Sequence, residues 1–243
     1  LDDLMAEAGV STDDFISSLM PIYQLNGKTY ALPKDWGTLG LVYLPEAFAV
    51  AGIEEPTADW TWEDMRAAAK TIAEKGNYGG FCMGADWARF LPFVLSYGGS
   101  YVSSDHTTAL LDSPEVLEAA SFVAGMFEEG SLVRPVDVST GWCGEAIGLK
   151  AVAMTTEGGW MVNTMKNTYP DVEWKAVVIP AGPVKRADVI FVNGIGINAA
   201  TQYPRAAAAF LFYVTGYENQ AEIVKTGFAY STHPEQADLI VDP

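Results

Sequence analysis

Apolar positions along the chain follow two periods, and the breaks between them are glycines and prolines. Trp62, Met65, Ala69 and Ile72 fall on one helical face behind Thr61, a capping residue, and Asp64, an acid in the first turn. This predicts a helix over 61–75 ending at Gly76. A second helix is predicted from Ser113-Pro114-Glu115 through Leu117, Ala120, Phe122 and Met126 to about Glu129, stopped by Gly130. A third runs from Tyr203 to Thr215, with Pro204 at its start and Gly216 at its end. Shorter helices are expected at 11–20 behind Ser11-Thr12-Asp13-Asp14, and at 45–52, 90–97, 145–150, 160–166 and 219–225. Between them, short apolar runs at 39–43, 81–83, 151–155, 174–179 and 189–198 read as strands. Asn26-Gly27, set between Ile22–Leu25 and Thr29–Leu32, predicts a hairpin that Pro33 closes. Strands alternating with helices make an α/β protein.

Composition narrows the partners. Of 243 residues, 49% are hydrophobic and 19% charged, so the chain buries a core and is not disordered as a whole. The net charge of −17 repels phosphate backbones and anionic headgroups, so no nucleic-acid partner is expected. No run approaches the roughly 18 apolar residues of a membrane span; Ala206–Val214 comes nearest. Cys82 and Cys143 are read first as two buried thiols, since sequence alone cannot supply the distance a disulfide needs. With only His106 and His233 beside them, no metal is expected, and no cofactor motif is present. Phosphate-binding, dinucleotide-binding and nucleophile-elbow signatures are likewise missing, so no catalytic residue is assigned. Thirty-one acidic residues leave paired-carboxylate glycoside chemistry open as an alternative.

What the chain does offer is aromatic residues at glycine-rich breaks. Trp36 follows Asp35, Trp87 follows Asp86 and precedes Arg89, Trp160 follows Gly158-Gly159, and Tyr230 follows Gly227. An indole held on a loop beside a carboxylate suits a neutral polyol: the ring packs on the sugar's C–H face while Asp and Arg bond its hydroxyls. Core filling competes with this reading at each tryptophan, and Trp60, Trp62 and Trp174 are assigned to the core.

Several stretches, in order, resemble the family 1 extracellular solute-binding proteins of ABC importers, the maltose-binding-protein-like group. They are Asn26–Pro33, Leu41–Leu44 with Ala51-Gly52, Pro56 with Trp60–Asp64, Gly148–Met154 with Gly159-Trp160, Ile179–Pro183, and Ala206–Val214. Leu44 and Leu149 depart from the family pattern. The resemblance implies a two-lobed, type II periplasmic-binding-protein clamp with an incomplete first lobe. Residues 1–42 would be part of that lobe and its hinge, 43–186 the second lobe, and 187–243 the return. The opening βα units and closing helices of the family are not represented, so a fragment trimmed at both ends is expected. By position, the resemblance makes Trp160 the sugar-stacking aromatic. It places Asp86, Trp87 and Arg89 in a cleft loop, Asp35 and Trp36 at the first crossing, and Asn193 and Gly194 on the return strand. Tyr230 completes the ligand-binding set. The implied partners are a sugar and the permease subunits of an importer, met outside the cytoplasm by a monomer, in the periplasm or lipid-anchored, without chemistry. A carbohydrate-active enzyme, a lectin-like module and a non-transport interaction domain are the alternatives.

Overall fold

A computed structural model of the chain describes residues 1–227 and 229–239. In chain order its elements are α1 (Asp2–Ala8), β1 (Gln24–Leu25), β2 (Lys28–Thr29), β3 (Ala31–Tyr43), α2 (Pro45–Ala51), α3 (Trp62–Lys75), β4 (Gly79–Cys82) and α4 (Trp87–Ser96). There follow α5 (Pro114–Glu128), β5 (Leu132–Val133), α6 (Cys143–Gly148), β6 (Val152–Gly158), α7 (Trp160–Thr168), β7 (Lys175–Val178), β8 (Ile190–Gly196), α8 (Pro204–Thr215) and α9 (Tyr217–Lys225). The chain divides into two units, Leu1–Gly37 with Ile190–Pro243 and Thr38–Val189.

In the unit 38–189 the strands lie in the order β5-β4-β6-β3-β7. β4 runs parallel to β5 and β6, while β3 is antiparallel to β6 and β7, with Leu39 opposite Gly158 and Tyr43 opposite Met154. Every residue of β6 is buried, as a central strand covered on both faces requires. Its core includes Leu41, Phe48, Trp62, Met65, Ile72, Phe81, Phe93, Met126, Ile147 and Met154. Trp62 stacks on Phe93 at 4.0 Å and donates its indole N–H to Ser96 Oγ at 2.8 Å, which satisfies its one polar atom. α3 sits so close to β4 that a Cβ on Gly80 would lie 2.3 Å from the Ala69 carbonyl oxygen; glycine is the residue that fits. The capping box predicted at Thr61 and Asp64 forms in both directions, and Gly76 ends α3 at φ 76°. Asp188 accepts bonds from Thr38 Oγ1, Leu39 N and Val189 N, tying together the two ends of this unit.

The expectation of two buried thiols is overturned. Cys82 and Cys143 are joined, with Cα atoms 5.6 Å apart, linking the end of β4 to the start of α6. The pairing depends on where those elements pack, which spacing along the chain does not encode.

In the other unit, Met5, Phe15, Met20, Leu32 and Leu211 form a cluster against Val10, Ile195 and Phe212. β1 and β2 pair around Asn26 (φ 51°) and Gly27 (φ 71°), the two left-handed positions that the Asn-Gly sequence signals. β8 pairs with β3. The helix expected over 11–20 is not there. Ser11 and Asp14 close a capping box on a single 3-10 turn, Thr12–Asp14, and Phe15 at φ −110°, ψ 156° is already extended. α1, unforeseen, precedes it and ends at Gly9 in the left-handed region. Pro33 does not close the hairpin either. It lies inside the 13-residue β3, where its carbonyl accepts from Thr232 Oγ1. Among the described residues no helix is long and apolar enough to cross a membrane.

Candidate functional site

The nine residues singled out by sequence fall into two local groups, one in each unit. In the unit 38–189 they gather where β4 and β6 end. Asp86 caps α4, its Oδ1 accepting from Arg89 N at 3.0 Å; this cap starts the helix three residues earlier than the sequence indicated. Trp87, 40% exposed, is held edge-on by Phe90 (5.5 Å) and Tyr101 (5.7 Å). Arg89 turns back from α4: its Nη2 donates to Glu157 Oε2 at 2.7 Å, and its Nη1 lies 3.7 Å from Asp86. The indole of Trp160, at the first position of α7, donates to the same Glu157 Oε2 at 2.8 Å. The Arg89 guanidinium carbon sits 5.6 Å from the centre of that ring, within cation–π range.

Glu157 was missed by the sequence reading, which ended β6 at Thr155. The strand continues to Gly158 and carries Glu157 into the site at 5% exposure. Burial pushes its carboxyl above the usual glutamate range, against the pull of Arg89 and the Trp160 N–H. Its place inside the Gly148–Trp160 stretch was the available signal. Gly158 matters for a different reason: a Cβ there would meet the Trp160 ring at 2.4 Å, so the ring lies across this glycine.

The second group lies in the unit of residues 1–37 and 190–243. Trp36 and Tyr230 pair through their backbones and bring their rings to 4.9 Å, while the Trp36 indole donates to Ser231 O at 2.8 Å. Asp35, expected on a loop at the first crossing, lies inside β3 and is buried at 3% exposure. It accepts from Asn193 Nδ2 at 2.6 Å and makes a charge contact with Lys34. Gly194 leaves room for Tyr23, whose ring carbon would stand 2.1 Å from a Cβ at that position. Tyr23 is the second residue that sequence reasoning missed. Its hydroxyl is buried with no hydrogen-bond partner among the described residues, and burial with the Asp35 charge nearby raises its pKa.

A cavity of about 590 Å³ in the same unit, lined by Asp13, Asp14, Phe15, Tyr217 and His233 among others, contains none of the nine expected residues. Among the described residues no group of three or more His, Cys, Asp or Glu side chains is placed to hold a metal ion. Within the unit 38–189 the group brings together the rings of Trp87 and Trp160, the guanidinium of Arg89 and the carboxylates of Asp86 and Glu157.

Known proteins share this architecture. The model of the family described as bacterial extracellular solute-binding protein matches residues 1–221. A curated binding protein of Brucella abortus (strain 2308) is 29% identical over 178 residues, covering 70% of this chain and 42% of the relative. The ABC substrate-binding protein Lmo0181 from Listeria monocytogenes, solved with cycloalternan, superposes with a TM-score of 0.90 at 22% identity, over 100% of this chain and 63% of its own. The GacH receptor of Streptomyces glaucescens, solved unliganded and with acarbose, gives 0.82 at 22% identity over 98% and 65%. UgpB from Mycobacterium tuberculosis, solved with glycerophosphocholine, gives 0.84 at 21% identity over 98% and 60%. These structures share the fold of the type II periplasmic binding proteins. The chain spans less than half the length of that curated relative and under two thirds of these solved chains.

Proposed function

Since the chain belongs to the bacterial extracellular solute-binding proteins, we propose that it captures a sugar or oligosaccharide non-covalently and delivers it to the permease of an ABC importer. The observation that carries this reading is the Trp160 ring, fixed by Glu157 and overlaid by Arg89, in the same unit as the exposed Trp87. Aromatic faces pack on the C–H faces of pyranose rings, and guanidinium and carboxylate groups bond the hydroxyls. The cycloalternan and acarbose complexes of Lmo0181 and GacH support an oligosaccharide. Residues 1–42 and 187–243 are read as portions of one lobe and 43–186 as the other. The protein works as a monomer outside the cytoplasm, and the Cys82–Cys143 bridge supports an oxidising compartment. Binding needs no bond to break, so no turnover is expected.

Calorimetric titration with maltose-series and branched oligosaccharides, and with glycerophosphocholine as a contrasting zwitterionic phosphodiester, tests the assignment. Trp160→Ala is expected to weaken sugar binding by roughly 1–3 kcal/mol with the fold intact. An unchanged dissociation constant rejects the stacking role, and a sugar hydrolysed during the titration rejects the transport receptor in favour of an enzyme.

A further inference from the structure

Two donors from different helices converge on one atom. Arg89, from α4, and Trp160, from α7, both donate to Oε2 of Glu157, which is itself held in the central strand β6. The ring can reach that atom because Gly158 presents no side chain beneath it. Arg89 then lies over the ring it shares an acceptor with. Carboxylate, indole and guanidinium thus form a closed three-membered set, in which moving one member strains the other two.

We propose that Glu157 is the positioning residue of this surface: one carboxylate oxygen sets the rotation of the Trp160 indole and the reach of Arg89 together, so that a stacking face and a set of hydroxyl-binding donors are presented in a fixed relation. The inference rests on the reading of this surface as the sugar platform. Without the acceptor, Arg89 is drawn to Asp86, whose carboxylate is already 3.7 Å away, and the indole loses the bond that fixes its tilt. The charged groups acting on Glu157 are Arg89, from α4, and Asp86, the cap of that helix, while α7 contributes the Trp160 indole and the β3 residue opposite, Gly40, has no side chain. Burial raises the Glu157 carboxyl above its ordinary 4.5. Protonation on acidification therefore removes the anionic acceptor while exposed carboxylates are still ionised.

The test uses the full chain with its tryptophan indoles labelled with nitrogen-15, the Trp160 signal being assigned by its loss in Trp160→Phe. Without sugar, the Trp160 Nε1–H resonance is followed from about pH 8 to about pH 4. It is expected to move with a single titration in the wild type and to stay flat in Glu157→Gln, an isostere that preserves packing. Oligosaccharide affinity should fall roughly tenfold in Glu157→Gln, the size of one weakened charge-assisted bond, and should lose its acid dependence. A Trp160 resonance that ignores pH in the wild type, or titrates identically in Glu157→Gln, overturns the proposal. A wild type that binds no sugar sinks the receptor reading instead, and the ligand-free resonance still decides the positioning role.

Discussion

Reducing the Cys82–Cys143 bridge probes how the unit 38–189 is held together. The two cysteines are 61 positions apart, and both are buried, at 0% and 3% exposure. In the chain-entropy account, releasing a loop of that length returns about 4 kcal/mol of conformational freedom to the unfolded chain at 25 °C. Reduction, unlike replacement by alanine, leaves both sulfur atoms in the core, so no cavity cost is added. At about 2–4 °C per kcal/mol for a chain of this size, the midpoint of thermal unfolding should drop by about 8–16 °C. Urea unfolding followed by far-ultraviolet circular dichroism and by tryptophan fluorescence, with and without dithiothreitol, measures the difference directly. A thiol assay on the denatured protein verifies that the bond was cut. The unfolded chain becomes less compact once freed, so the slope of free energy against urea should steepen as the midpoint falls. Coincident unfolding curves before and after verified reduction would refute the argument, because the bridge would then not be restricting the unfolded chain as the entropy account requires.

Two further outcomes are expected. Arg66 grips Glu129 with two bonds, at 2.8 and 3.0 Å, and holds its carboxyl down to about 2 from 4.5. Because the folded pKa is the lower one, this stabilisation is present above 4.5 and is lost as pH falls towards 2. A double-mutant cycle with Arg66→Gln and Glu129→Gln should give about 0.5–1 kcal/mol of coupling at neutral pH, for a partly exposed pair, and almost none near pH 2; a coupling that is constant with pH contradicts this. Asp86→Ala should cost roughly 1 kcal/mol through loss of the α4 cap, whereas Asp86→Asn keeps the cap and melts like the wild type. Sugar affinity in Asp86→Asn then reads the charge alone, and an unchanged value removes Asp86 from the binding surface.

What was legible in the sequence is what local chemistry decides. α3 could be read from Thr61, Asp64 and Gly76 because cap, face and stop lie within 16 residues of one another. The Asn26-Gly27 turn could be read because few residue pairs adopt two left-handed conformations in succession. The same local logic misled at Ser11: its capping box is real, but it serves one 3-10 turn, since Phe15 turns extended to enter the cluster with Met5 and Leu211. Asp35 looked like a loop acid until β3 was seen to run straight through Pro33. Glu157 and the cysteine pair were illegible for a shared reason. Their partners lie 68 and 61 positions away, and only the packing of β4, α4, α6 and β6 brings them together. The ordered set of family-like stretches crossed that gap for the fold, because it compares whole architectures rather than neighbours.

β3 contributes Ala31–Gly37 to one unit and Thr38–Tyr43 to the other. From Asp35 to Leu41 burial alternates along it, with Asp35, Gly37, Leu39 and Leu41 inward. Inserting a single residue near Lys34 would exchange inside for outside along this alternating stretch, turning Leu39 and Leu41 outward in a unit the change never touched. An insertion of two preserves parity. Chimaeras that swap the segment 38–189 between relatives must therefore be spliced in phase, however permissive the surrounding loops are.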